Sequence, residues 1–183
     1  MTETSGIRPS PIAGTWYSSD SERLKQELDG YLQHAKNPSI NGRVMGVISP
    51  HAGYRYSGKT AGHAFRAVSG QSPRVVVIFS PYHDYHPAAI ISSAHTHYET
   101  PLGSVPVAVD LLNTFRGQMS SEANLDIALV ANDREHSLEI ELPFLQRVLT
   151  GEFSLLPLMI RGHNVWTAKQ IGRVLAPLLD EVS

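Results

Sequence analysis

The chain has 183 residues, of which 42% are hydrophobic and 17% charged, with a formal net charge of −2, nine histidines and no cysteine. That profile suits one soluble α/β-sized domain over residues 1–183, offers no basic excess for a nucleic-acid partner, and contains no apolar run near the roughly 20 residues that span a bilayer. Without cysteine there are no disulfides, thiolate metal sites or thiol nucleophiles, so His, Asp and Glu are the available strong ligands; the polar start, Met1–Pro11, has no secretory h-region, and a cytoplasmic location is expected.

In chain order, residues 1–11 read as a leader. Asp20 or Ser21 caps a helix to about Ala35, with Leu24, Leu28, Tyr31, Leu32 and Ala35 at helical spacing, stopped by Asn37-Pro38. Val44–Ser49 is a short continuous apolar run, the pattern of a strand buried on both faces of a parallel sheet. Ser57 caps a helix to about Val68, and Arg74–Ser80 is a second buried strand, completing a βαβ unit. Ala88–Ser92 and Val105–Val109 are strand-like about a Thr100–Gly103 turn. Asp110–Gln118 reads as helix, Leu125–Val130 as strand, and Ser137–Leu149 as an amphipathic helix despite Pro143. Phe153–Ile160 is another apolar strand, and Asn164 caps a last helix with Ile171, Val174, Leu175, Leu178 and Leu179 on its apolar face. Alternating strands and helices, with no internal repeat or linker, give an α/β class around a largely parallel central sheet.

The chemistry gathers at strand ends. Ser49-Pro50-His51-Ala52-Gly53-Tyr54 follows the first apolar run and Ser80-Pro81-Tyr82-His83-Asp84 the second. Ligands bind outside the carboxyl ends of strands in open α/β sheets, and proline stiffens each turn ahead of its histidine. Histidine is the commonest neutral metal ligand and the usual proton shuttle, so His51 and His83 together point to a site, although either alone serves equally well as a strand-end hydrogen-bonding group. A third cluster, Asp133-Arg134-Glu135-His136-Ser137, opens the Ser137–Leu149 helix; acids in a first turn commonly do no more than complement the helix dipole, and the functional alternative aims Glu135 or His136 into the same cleft. His163 is an outside candidate at the end of the Phe153–Ile160 strand, His95 and His97 read as solvated, and His34 and His63 lie on helices.

Six ordered elements resemble the Memo family, the protein-B component of the AmmeMemoRadiSam gene group. They are Ala13-Gly14-Thr15-Trp16-Tyr17; Ser49–Tyr54 with Tyr56-Ser57-Gly58; Ser80-Pro81-Tyr82-His83; Tyr98–Gly103; Glu135-His136-Ser137-Leu138-Glu139 with Leu142-Pro143; and Phe153–Ile160. The resemblance implies a three-layer α/β fold with a largely parallel or mixed central sheet, similar to the catalytic subunits of class III extradiol dioxygenases. It implies His51 and His83 as ligands of a redox metal, iron(II) first and copper as the alternative, with His136 and Glu135 as catalytic, proton-transferring groups beside them. It also implies a further strand beyond Ser183 carrying an Asp, a His and the remaining ligand, so that the chain corresponds to a C-terminally truncated family domain. Two departures are Asp84, where many relatives have a second histidine, and Ser80, often glycine.

Two readings follow. In one, the cleft binds a redox metal and acts like a dioxygenase on a small molecule. In the other, the scaffold is a non-catalytic adaptor that binds a peptide or small ligand over a vestigial, incomplete metal site. The implied truncation leaves an exposed sheet edge, expected at Phe153–Ile160, so that the chain either pairs with another chain in an oligomer or is only part of the native protein.

Overall fold

The computed structural model describes residues 6–36, 39–162 and 164–182. A two-residue strand, β1 (Ile7–Arg8), precedes helix α1 (Ser21–His34). Asp20 caps α1 as expected: its Oδ1 accepts the Arg23 N–H at 2.7 Å, satisfying a donor that the first turn leaves free. Leu24, Leu28 and Leu32 form the buried stripe. Asn37-Pro38, the expected stop, lies outside the described residues.

Helix α2 (Tyr54–Arg66) packs against α1 at glycine distance. A Cβ at Gly62 would sit 2.7 Å from the Tyr31 carbonyl oxygen, and one at Gly58 would sit 2.6 Å from the Tyr31 ring. Ser57, the expected cap, lies inside the first turn, and Gly53 is the N-cap residue. The Ser57 hydroxyl instead donates back to the Ala52 carbonyl at 2.9 Å. The helix begins earlier because the Tyr54 N–H is met at 3.0 Å by the Trp16 carbonyl, a partner far away in sequence.

Next come strands β2 (Val75–Pro81), β3 (Ile90–Ser93), β4 (His97–Thr100) and β5 (Gly103–Pro106), then helix α3 (Val109–Ala123) and strand β6 (Ile127–Val130). A 3₁₀ turn (Glu139–Glu141), α4 (Leu142–Val148), β7 (Ser154–Ile160) and α5 (Val165–Val182) complete the order. Asn164 caps α5 as expected, accepting the Thr167 N–H at 2.7 Å. The main sheet runs β2-β7-β3-β6 and a smaller one β1-β4-β5. β7 lies parallel to β2 along its whole length, while β3 is antiparallel to β7 and parallel to β6. The sheet is therefore mixed. Helices α1, α2 and α4 contact one another, and α3 contacts α5 and the strands β6 and β7, an α/β arrangement in layers about the sheet. The core centres on β7 and β3, where Leu155, Leu156, Leu158, Ile90 and Ile91 are fully buried.

Four expectations are corrected. Val44–Ser49 forms no strand, and Met45 and Ile48 are 82% and 98% exposed. An apolar run becomes a strand only when a neighbouring strand accepts its backbone, and among the described residues none does. The expected βαβ unit therefore reduces to α2 followed by β2. Phe153–Ile160 is not the exposed edge: β7 lies inside the sheet between β2 and β3, while β2 and β6 are the terminal strands among the described residues, and Phe79 of β2 is 54% exposed. The Ser137–Leu149 helix is a 3₁₀ turn followed by the short α4, with Pro143 in its first turn, where a missing N–H costs nothing. His95 is buried rather than solvated, and its Nε2 accepts the Asn132 N–H at 3.1 Å.

Candidate metal centre

Three chain segments deliver three histidines to one place. His51 stands at the turn into α2, His83 two residues past β2, and His136 ahead of the 3₁₀ turn. One nitrogen from each lies within 4.8 Å of the other two. The His83 and His136 rings stack, with centroids 4.5 Å apart and planes 18° from parallel; His51 lies 5.5 Å from His83 and 5.9 Å from His136. The pairing of His51 with His83 was read from the two Ser-Pro motifs, and the resemblance set His136 beside them; the distances between the rings come from the fold. His163 lies outside the described residues.

Glu135 organises the group. Its side chain is buried, and its Oε2 accepts the His83 N–H at 2.6 Å. Its Oε1 accepts the N–H groups of His136 and Ser137 at 2.9 and 2.8 Å. The His83 ring turns its Nδ1 onto the same carboxylate, 2.9 and 3.1 Å from the two oxygens. The His136 and Ser137 N–H groups are thus taken up by this side chain ahead of the 3₁₀ turn. Burial pushes the Glu135 carboxyl up, but the N–H groups of His83 and Ser137 and the His83 ring outweigh it and hold the pKa down at about 2. Glu135 is thus a fixed anion at neutral pH and a poor proton acceptor.

Two of the imidazoles, His51 and His136, are biased toward the neutral form that binds metal. Burial lowers His51, the nearby His83 lowers it further, and Glu135 opposes. Burial also lowers His136, against Glu135 and in concert with His83 and His51. An Nδ1–H donated to Glu135 leaves His83 Nε2 as a lone-pair donor, the usual carboxylate–histidine pairing behind metal ligands. Three nitrogens bound to one ion at about 2.1 Å would lie about 3 to 3.4 Å apart. In the structure the three nitrogens lie within 4.8 Å of one another, and the His83 side chain is 47% exposed. The donor set fits a metal ion: three imidazoles, one of them oriented by a buried carboxylate. Glu135 itself is occupied by N–H groups, so the set is three histidines rather than two histidines and a carboxylate.

Two further residues shape the site without having been picked out as site residues. Trp16 lies over His136, with ring centroids 4.1 Å apart. It appears in the sequence only as part of a motif. Arg8 reaches Asp133 and the Glu135 carbonyl from β1, and nothing in the polar leader marks it. Ser80 Oγ and Glu141 Oε2 are buried without a hydrogen-bond partner among the described residues.

A family model described as Memo-like protein matches residues 8–183. The chain belongs to the Memo-like family. It is 31% identical over 176 residues to a MEMO1 family protein of Nitrosopumilus maritimus, a match covering 94% of this chain and 63% of the relative. It is 30% identical over 183 residues to a MEMO1 family protein of Methanopyrus kandleri, covering 96% and 64%. With the MEMO1 family protein MHO1 of Saccharomyces cerevisiae it shares 32% over 189 residues, covering 96% and 55%. The chain thus spans less than two thirds of the length of these curated relatives. Among the described residues, no helix is long and apolar enough to cross a membrane.

Proposed function

We propose that this Memo-like chain carries the histidine side of a redox-metal centre, with His51, His83 and His136 as ligands and Glu135 as the carboxylate that orients His83. The convergence of three ligand nitrogens within 4.8 Å carries this reading. Iron(II) is the first choice and copper the second; imidazole suits both. Such a metal, once held, supplies Lewis acidity and one-electron chemistry to a small molecule in the cleft. The chain's own residues bind, orient and shield: Glu135 fixes the His83 ring, and Trp16 covers the face of His136. His136 also retains a proton-transfer reading, because its Nδ1 lies 3.5 Å from Glu135 Oε1. The low pKa of Glu135 makes the carboxylate an electrostatic partner in that role rather than a base.

Anaerobic titration with iron(II), followed by tryptophan fluorescence, tests the centre in wild type, His51→Ala, His83→Ala and His136→Ala. Wild type takes up one equivalent, and each alanine variant loses affinity. Equal uptake in all four proteins would reject the centre. If His136→Ala alone keeps full affinity, His136 is the proton-transfer group. Oxygen consumption by the metal-loaded chain with a panel of catechols then separates a dioxygenase-like enzyme from an adaptor that binds a small molecule or peptide without turnover. The terminal strand β2 supports a second proposal, that another copy covers it in an oligomer; sedimentation as a monomer at every concentration would reject that.

A further inference from the structure

The buried arginine at the start of the chain has no hydrogen bond to the three histidines, yet three of its side-chain hydrogen bonds end on the Asp133–Glu135 segment that organises them. Arg8 is 1% exposed. Its Nε and Nη2 grip Asp133 at 3.2 and 3.0 Å, and Nη2 also donates to the Glu135 carbonyl at 2.7 Å. Asp133 Oδ1 in turn accepts the Glu135 N–H at 3.0 Å. The peptide N–H and C=O of Glu135 are therefore both held by one bidentate ion pair. Nη1 is anchored separately, 2.6 Å from Glu139 Oε2 and 3.3 Å from the Pro9 carbonyl. The guanidinium lies over the Tyr98 ring, 5.0 Å from its centroid, and Tyr98 is the register partner of Arg8 between β1 and β4. The short β1 strand and the small sheet thus place one planar fork against one loop.

We propose that Arg8 is a positioning residue of the histidine site: through Asp133 and the Glu135 main chain it aims the Glu135 carboxylate at His83 Nδ1 and so selects the His83 tautomer whose Nε2 is free to bind. This deepens the metal-centre reading and rests on it for the use made of that Nε2. Burying a guanidinium is costly unless all of its donors are satisfied, and an apolar side chain would fill the same space. What Arg8 adds is a rigid, two-point grip on Asp133 together with a bond to the Glu135 carbonyl, a geometry that lysine cannot reproduce.

The test is nitrogen NMR of the imidazoles in metal-free, ¹⁵N-histidine-labelled protein at pH 8, where ordinary imidazoles are neutral. The proteins are wild type, Arg8→Lys, Asp133→Asn and Glu139→Gln, each checked for folding by circular dichroism. Wild type shows His83 as the Nδ1–H form. In Arg8→Lys and in the near-isosteric Asp133→Asn, the His83 signals shift toward a tautomer mixture, and cobalt(II) affinity falls about ten- to a hundredfold. Glu139→Gln removes the other ion pair of Arg8 without touching Asp133 or Glu135; it lowers the melting temperature but keeps the wild-type tautomer. Either folded variant, Arg8→Lys or Asp133→Asn, showing the wild-type His83 tautomer would overturn the proposal, as would Glu139→Gln shifting it equally. Wild type that binds no cobalt(II) while the tautomer result stands would reject the metal reading and leave the positioning role intact.

Discussion

Replacing Glu135 with glutamine breaks the anion at the centre of the site while keeping its shape. The carboxylate accepts three backbone N–H groups and the His83 ring. An amide has one accepting oxygen, so its NH₂ end must face a donor, most severely the His83 N–H now 2.6 Å from Oε2. The magnitude follows from the pKa. The carboxyl falls from the ordinary 4.5 to about 2, and at 1.36 kcal/mol per pH unit this is about 3 kcal/mol of stability. The direction follows as well. A depressed folded-state pKa stabilises the fold above the unfolded value and loses that effect as pH falls toward the folded value. The difference between wild type and Glu135→Gln is therefore expected at about 3 kcal/mol at pH 7 and about 1.4 kcal/mol at pH 3. Urea unfolding of both proteins at pH 7, 5 and 3 measures it. A difference that stays constant from pH 7 to pH 3 would refute the role of Glu135 as a buried, hydrogen-bonded anion.

Glu141 behaves in the opposite sense. Its burial, only partly offset by a hydrogen bond from the Ser49 side chain, pushes its carboxyl up to about 8. A raised folded-state pKa means stability that is complete below the ordinary 4.5 and is lost as pH rises through about 8. Glu141→Gln should therefore match wild type near pH 4.5 and exceed it at pH 8, by at most about 4 to 5 kcal/mol, in thermal melts at the two pH values; equal melting temperatures at pH 8 would count against it. Gly62→Ala should destabilise by about 1 to 3 kcal/mol despite alanine's better helix propensity, because its Cβ would meet the Tyr31 carbonyl of α1 at 2.7 Å. A gain in denaturant midpoint would contradict that close approach. Ile48→Lys should change stability by less than about 0.5 kcal/mol, since Ile48 is 98% exposed. A loss of 2 kcal/mol or more would mean that the apolar run is buried after all.

Much of the local structure could be read directly. The caps of α1 and α5, the buried leucines of α1 and the strand at Phe153–Ile160 depend on nearest neighbours along the chain, and all are present. The misreadings share one cause. Val44–Ser49 has the composition of a strand, but a strand is completed only by another segment's backbone. Apolar composition says that burial is favourable, not that a partner exists. The same holds for the position of β7: its sequence says that it is buried, and only the pairing with β2 and β3 says that it is interior. His95 reads as polar surface because a hydrogen bond to Asn132, 37 residues away, cannot be inferred from its neighbours.

Sequence by itself determined the class, the family likeness and the two Ser-Pro-led histidines, because these rest on periodicity, residue chemistry and short ordered motifs. Tertiary structure alone decided the distances at which His136 joins them, that Glu135 is an anchored anion rather than a helix-start acid, and that Trp16 and Arg8 belong to the site. Each of those facts depends on contacts between segments about 30 to more than 120 residues apart. Spacing along a chain constrains which residues share a face of one element; it carries no information about which loops meet, and this site is made where loops meet.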